Sequence, residues 1–249
     1  MILPIDLTPD QGISLFLVVF LMTISGLKGM LDRSGIFAAA LVGFSVSIFG
    51  HWTWLAMLIV FLMVGVTATA WRYEEKSRLR IAESNEGTRG WRNVMANGGV
   101  AALVSALSYF LGDPNWGYLA VACSISVAAS DTLASEIGSL DPRTRSIINL
   151  EAVPAGTNGG MSITGTFAAL FGGLIIGIMA VTLSSINGNS IPLDSLFLIV
   201  TAIGWLGCQV DSILGALFEN KGLIGKHTVN FLATLSGALM AVLVNWQFL

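Results

Sequence analysis

Charge is what this sequence has least of. Asp, Glu, Lys and Arg make up 11% of its 249 residues, whereas a soluble domain carries about 25%. With 54% hydrophobic residues and a mean hydropathy of +0.78, a soluble globular chain is excluded and an integral membrane protein is implied. Cysteine occurs only at Cys123 and Cys208, both inside apolar runs and without the paired spacing of a redox or metal site. Histidine also occurs twice. His51 stands beside Trp52 and Trp54, as in an interfacial aromatic belt, and His227 follows Lys226. Neither a Ser/His/Asp set nor a Cys/His cluster can be assembled from this inventory. No Lys-Ser or Lys-Thr follows a second glycine at Walker A spacing, and no nucleic-acid motif is present. The first apolar run is flanked by Asp6 and Asp10 instead of a basic segment, so it is expected to be retained as a span and not removed as a signal peptide.

What the chain does contain is eight apolar segments: 11–27, 35–50, 52–71, 97–111, 116–130, 162–184, 193–213 and 228–246. A full span needs about 20 residues and several of these are shorter. The expected fold is an all-α polytopic bundle of about eight transmembrane helices, with a range of six to eight, in one membrane domain over residues 1–249. The basic residues test that count. With the N-terminus outside, all twelve Lys and Arg fall in alternate loops, which the positive-inside rule makes cytoplasmic. Lys28 and Arg33 lie in the first, six residues from Arg72 to Arg92 in the second, Arg143 and Arg145 in the third, and Lys221 and Lys226 in the fourth. Both termini then lie on the opposite side. The charged loop at about 72–96 has helical spacings that allow pairs such as Glu74 with Arg78, which predicts a cytoplasmic helix.

An ionisable group at or inside the membrane is costly and by default a functional hypothesis. Asp131, Glu136 and Asp211 qualify, at the cytoplasmic ends of inward-running segments. Carboxylate oxygens completed by water and phosphate suit Mg²⁺, with Thr132, Ser135 and Ser212 nearby; the competing reading is a set of helix-end acids satisfied by Arg143, Arg145 or backbone amides. On an unbroken helix Asp131 and Ser135 share a face, while Glu136 lies about 140° round from Asp131. Joint metal binding by both acids therefore asks for a break near Gly138, a second ion or an outlying role for Glu136. The loop Gly156-Thr157-Asn158-Gly159-Gly160-Met161-Ser162 opens the next apolar helix. Glycines admit a ligand close to the backbone, and amides at a helix N-terminus favour phosphate; a tight re-entry turn explains the pattern equally well. Asn97 begins the fourth segment at the same boundary, and Arg89 and Arg92 just before it are candidates to reach phosphates held near Asp131.

The stretches Asn93–Gly99, Ala129–Gly138, Val153–Thr166 and Asp211–Ala216, in that order and over nearly the whole chain, resemble the DUF92 membrane protein family, which contains the plant phytyl-phosphate kinase. The resemblance implies transfer of a phosphoryl group from a nucleoside triphosphate, CTP or another, to a prenyl monophosphate, with Mg²⁺ as cofactor, in phytol salvage toward tocopherol. That implication fits the reading of the residues, with metal and catalytic roles for Asp131, Glu136 and Asp211. Phosphate contacts fall to Asn97, Gly156, Thr157, Asn158, Gly159, Gly160 and Ser162, and nucleotide charge to Arg89, Arg92, Lys221 or Lys226. The alternatives are a CTP-dependent cytidylyltransferase on a lipid phosphate, and a cation or metabolite transporter with the same acids at broken helices.

Overall fold

The computed structural model describes residues 8–82, 87–112 and 114–248. The described residues form eight long α-helices and one short one: α1 Pro9–Leu27, α2 Arg33–Phe49, α3 Trp52–Ala70, α4 Tyr73–Arg78, α5 Trp91–Leu111, α6 Pro114–Gly138, α7 Ile163–Ser184, α8 Leu193–Leu214 and α9 Lys226–Phe248. Two dipeptides, β1 Arg145–Ser146 and β2 Gly160–Met161, pair antiparallel in the loop between α6 and α7. Among the described residues, seven helices are long and apolar enough to cross a membrane, and α2, at 17 residues, is shorter. The all-α integral membrane class read from the sequence holds.

The helix ends differ from the apolar segments where polar residues continue a helix that hydropathy stops seeing. α5 starts at Trp91, not 97, with Gly90 in extended backbone at its N-cap. α6 runs on to Gly138, so Asp131 and Glu136 sit in its last two turns and no break precedes Gly138. Of the helix expected over 72–96, only the six residues of α4 and the first turns of α5 are α-helical, and residues 83–86 of that stretch lie outside the described residues.

Helix α6 is the hub. Every residue from Gly117 to Ser130 is buried, and α3, α5, α7, α8 and α9 all pack against it. Lipid is as apolar as a leucine side chain, so close contact and interhelical hydrogen bonds do the holding here. Small residues permit that contact. A Cβ on Gly172 of α7 would stand 2.7 Å from the Ala129 carbonyl oxygen, and one on Gly237 of α9 2.6 Å from Val127. The Ser126 hydroxyl donates to the Val200 carbonyl at 2.9 Å and Tyr118 to that of Ala180 at 2.5 Å, which satisfies polar groups that hydrocarbon would leave stranded.

The loops sort to two ends. At one, His51 faces Asp10, Asn187 reaches Thr53 at 3.2 Å and Asn189 reaches Asn115 at 3.4 Å. At the other, the Arg89 amide donates to Met30 and its carbonyl accepts from Asp32, Ile81 lies on Gly156, and the side-chain amide of Asn220 donates to the Asn158 carbonyl. The four loops that carry the basic residues therefore meet at one end of the bundle, as the alternation of charge along the sequence requires.

Candidate functional site

The charged end holds a cleft of about 280 Å³ between the ends of α6 and α8, the starts of α7 and α9, and the glycine-rich loop. Asp131 of α6 and Asp211 of α8 line it together, their carboxyls near enough to act on one another electrostatically. The Asp211 Oδ2 atom is buried with no hydrogen-bond partner. Lys226, at the start of α9, lines the same cleft and acts electrostatically on both acids. One turn further along α9, Asn230 is buried and also lines it.

α8 continues into a π-helical turn, Gly215–Glu219, closed by the Asn220 amide on the Gly215 carbonyl at 3.1 Å. Such wide turns recur at functional sites. This one lays Gly215 against Asn158 and Gly159 and leaves Glu219 near enough for its charge to act on the two aspartates.

The glycine-rich loop is pinned from three directions. β2 pairs with β1, the Ile147 amide donates to Gly159 at 2.9 Å, and a Cβ on Gly159 would meet Ala216 at 2.5 Å and the Ser212 carbonyl at 2.7 Å. Gly156 and Gly159 hold φ of 81° and 76°, which side chains resist. The Thr157 amide and hydroxyl both donate to Pro154, and the Gly160 amide to Thr157. Ser162 is the N-cap of α7: its hydroxyl accepts from the Gly165 amide at 3.1 Å and donates to the Gly138 carbonyl at 3.4 Å. The hydroxyls and two of the amides in the expected cradle are thus spent on internal turns. Among the described residues the amides of Asn158 and Gly159 have no backbone acceptor.

Not every expected residue comes to the cleft. Glu136 faces the other side of α6, where Oε2 accepts from Lys76 Nζ at 2.5 Å and Oε1 from the Thr69 hydroxyl at 2.9 Å. The 140° offset on an unbroken helix is resolved by sending the two acids to different neighbours, so Glu136 is corrected from joint metal ligand to ion-pair partner. Arg89 is buried against Gly65 and donates to Thr69 at 3.2 Å. Asn97 donates to the Asn93 carbonyl at 2.9 Å, and with Arg89 lines a separate, largely apolar cavity of about 60 Å³ among α1, α2, α3 and α5. Arg92 lies over the Trp91 ring at 5.5 Å, and Lys221 is an exposed loop residue outside the cleft lining. Beside these, Arg80 and Asn230 line the cleft without having been singled out in the sequence. Asn230 had a signal, an amide inside an apolar run one turn after Lys226; Arg80 had none that set it apart from the five other basic residues of its loop.

Among the described residues no group of three or more His, Cys, Asp or Glu side chains is placed to hold a metal ion, which sets aside a site built from three protein acids. The pair Asp131 and Asp211 nevertheless fits Mg²⁺. Two carboxylates facing one cleft repel unless a proton or a cation lies between them, one of their oxygens is buried and unpartnered, and Mg²⁺ takes one or two carboxylates plus water and phosphate oxygens.

Just outside the cleft, Asp141 ties α6 to α7. Hydrogen bonds from the Arg143 side chain, then from the Thr164 hydroxyl and the Arg143 amide, hold its carboxyl well below the usual carboxylate range.

No solved structure matches this chain. Among curated proteins it is 32% identical over 242 residues to Uncharacterized membrane protein MJ0933 of Methanocaldococcus jannaschii, covering 95% of this chain and 97% of that one. It is 30% identical to Uncharacterized membrane protein sll0875 of Synechocystis over 77% of this chain and 73% of that one, and 28% identical to Protein VTE6, chloroplastic, of Arabidopsis thaliana over 94% and 70%. The profile of the family described as Integral membrane protein DUF92 matches residues 16–238, and the chain belongs to that family.

Proposed function

We propose that the cleft is a phosphoryl-transfer site that moves a phosphoryl group from a nucleoside triphosphate to a prenyl monophosphate. One observation carries the reading: two aspartates from different helices face a glycine-rich turn and a lysine within one cleft at the charged end of a membrane bundle. Kinship to Protein VTE6 and membership of the family that contains the plant phytyl-phosphate kinase support it.

The chemistry asks for alignment and charge neutralisation more than for covalent catalysis. Lys226 offers a cation to phosphate oxygens, and the Asn158 and Gly159 amides offer donors beside them. Asp131 and Asp211 would hold Mg²⁺, which when bound neutralises charge between phosphates and the leaving group. No side-chain base is demanded, because the attacking phosphate oxygen is already ionised at neutral pH. A prenyl tail needs hydrocarbon beside the cleft, and the exposed Ile163, Phe167 and Phe171 of α7 supply an apolar flank. By the positive-inside rule this end faces the cytoplasm.

The test is to incubate purified protein with radiolabelled nucleotides and phytyl or geranylgeranyl monophosphate. A nucleoside diphosphate and a prenyl diphosphate are expected. Release of pyrophosphate would mean cytidylyl transfer instead. Uptake of an ion or metabolite into vesicles without turnover would mean transport, a reading disfavoured because the acids occupy the last turns of their helices, away from the middle of the spans where transporter sites sit.

A further inference from the structure

Lys76 is 0% exposed, although it lies in the most highly charged loop of the chain. Its ammonium group donates to Glu136 Oε2 at 2.5 Å, to the Thr69 carbonyl at 2.9 Å and to the Ala68 carbonyl at 3.1 Å, so all three protons are used. The lysine thereby fastens α4 to the C-terminal end of α3 and to α6. A buried ion pair is weak evidence for stability, since desolvation offsets much of the attraction. What the pair positions is then the question.

The chain leaving α4 answers it. The Ile81 amide donates back to the Lys76 carbonyl at 3.0 Å, and the Ile81 side chain lies so close to Gly156 that a Cβ there would stand 2.6 Å away. Between them Arg80 takes a φ of 60°, a left-handed conformation uncommon outside glycine. Residues held in that region against their preference cluster at ligand-binding sites. The outcome is that Arg80 is exposed and lines the cleft with Asp131. Glu136 and Asp131 are five residues apart on one rigid helix, one turned to the anchor and the other to the cleft.

We propose that Arg80 contacts a phosphate of the bound substrate, and that the Lys76–Glu136 pair is the positioning device that holds it over the cleft. This rests on the cleft being a phosphate site, as read above. Guanidinium is suited to that task because its planar fork can donate two parallel hydrogen bonds to phosphate. The phosphate can belong to the nucleotide or to the prenyl monophosphate, and two binding experiments separate these sources.

The experiment uses full-length protein in nanodiscs and measures binding of CTP and ATP with Mg²⁺ in one arm and of geranylgeranyl monophosphate in the other. Arg80→Gln should weaken one arm by about tenfold or more, with Arg80→Lys retaining part of the affinity; the arm that falls names the source. Unchanged affinity in both arms, with the wild type binding, overturns this inference and leaves the cleft reading standing. A wild type that binds neither probe overturns both. For the anchor, Lys76→Met is made with and without Arg80→Gln. If Lys76 acts through Arg80, it weakens binding in the wild type and has no further effect in Arg80→Gln, whereas additive losses reduce the pair to a structural role. Should Lys76→Met fail to fold, Lys76→Met with Glu136→Leu, which leaves no buried unpaired charge, enters the same cycle.

Discussion

Replacing Asp211 by Asn separates stability from activity at the aspartate pair. In the native protein the two carboxyls line one cleft and act on each other, and Asp211 Oδ2 is buried without a partner. An unsatisfied buried polar atom costs about 1–3 kcal/mol. Asn is nearly isosteric and brings two N–H donors, one of which can donate to Asp131. The ligand-free protein should thus gain on the order of 1 kcal/mol, which in a chain of this size raises Tm by about 2–4 °C. Turnover should move the other way. Half of the negative charge available to a dication is gone, and losing about 4 kcal/mol of transition-state charge stabilisation costs roughly a thousandfold in kcat. Asp131→Asn should cost about as much, and the double variant little more than either, because the two act as one unit. The assay pairs a thermal melt in detergent without Mg²⁺ with initial rates against Mg²⁺ concentration. A lower Tm together with undiminished Mg²⁺-dependent turnover in Asp211→Asn would refute both the geometry of the pair and its assignment.

Glu136→Gln should leave the Mg²⁺ dependence unchanged but lower thermal stability by about 3–5 kcal/mol, since Lys76 is left buried without its counter-charge; melts and Mg²⁺ titrations of the purified variant check this. Asp141 has a depressed folded-state pKa, so its contribution is fully present above the unfolded value of about 3.9 and is lost as pH falls below it toward the folded value. Asp141→Asn should therefore be less stable than the parent at neutral pH, with the gap beginning to narrow in acid, as paired melts from pH 7 to pH 3 would show. Because all basic loops meet at one end, reporters after residue 249 and within residues 72–80 should lie on opposite sides of the membrane; the same side for both would break the eight-helix alternation.

The functional reading was partly legible because membranes penalise charge. Asp131 and Asp211 stand out in an apolar chain, and both arrive in the cleft; the glycine-rich loop stands out by the same contrast. What misled was distance along the chain. Arg89, Arg92 and Asn97 lie at the correct depth, yet Arg89 and Asn97 turn into packing around α3 and α5 and Arg92 covers Trp91. Depth can be read from charge, but rotation about a helix axis cannot. For the loop the sequence left a turn and a phosphate cradle equally open, and the turn is what the structure shows directly. Gly159 looks like a place where a ligand approaches, and its missing side chain is instead filled by the end of α8.

By itself the sequence determined the membrane class, the alternation of loops between two ends and the depth of the acids, because each follows from the cost of placing charge or an unpaired peptide in hydrocarbon, a cost that depends on residue type and spacing alone. Only the tertiary structure decided which acid meets which partner. Glu136 and Asp131 are five residues apart and chemically alike, and what distinguishes them is that one side of α6 faces Lys76 and the end of α3 while the other faces Asp211 of α8. That choice is made by glycine-lined contacts between helices far apart in the chain, and a contact requiring two surfaces cannot be read from one.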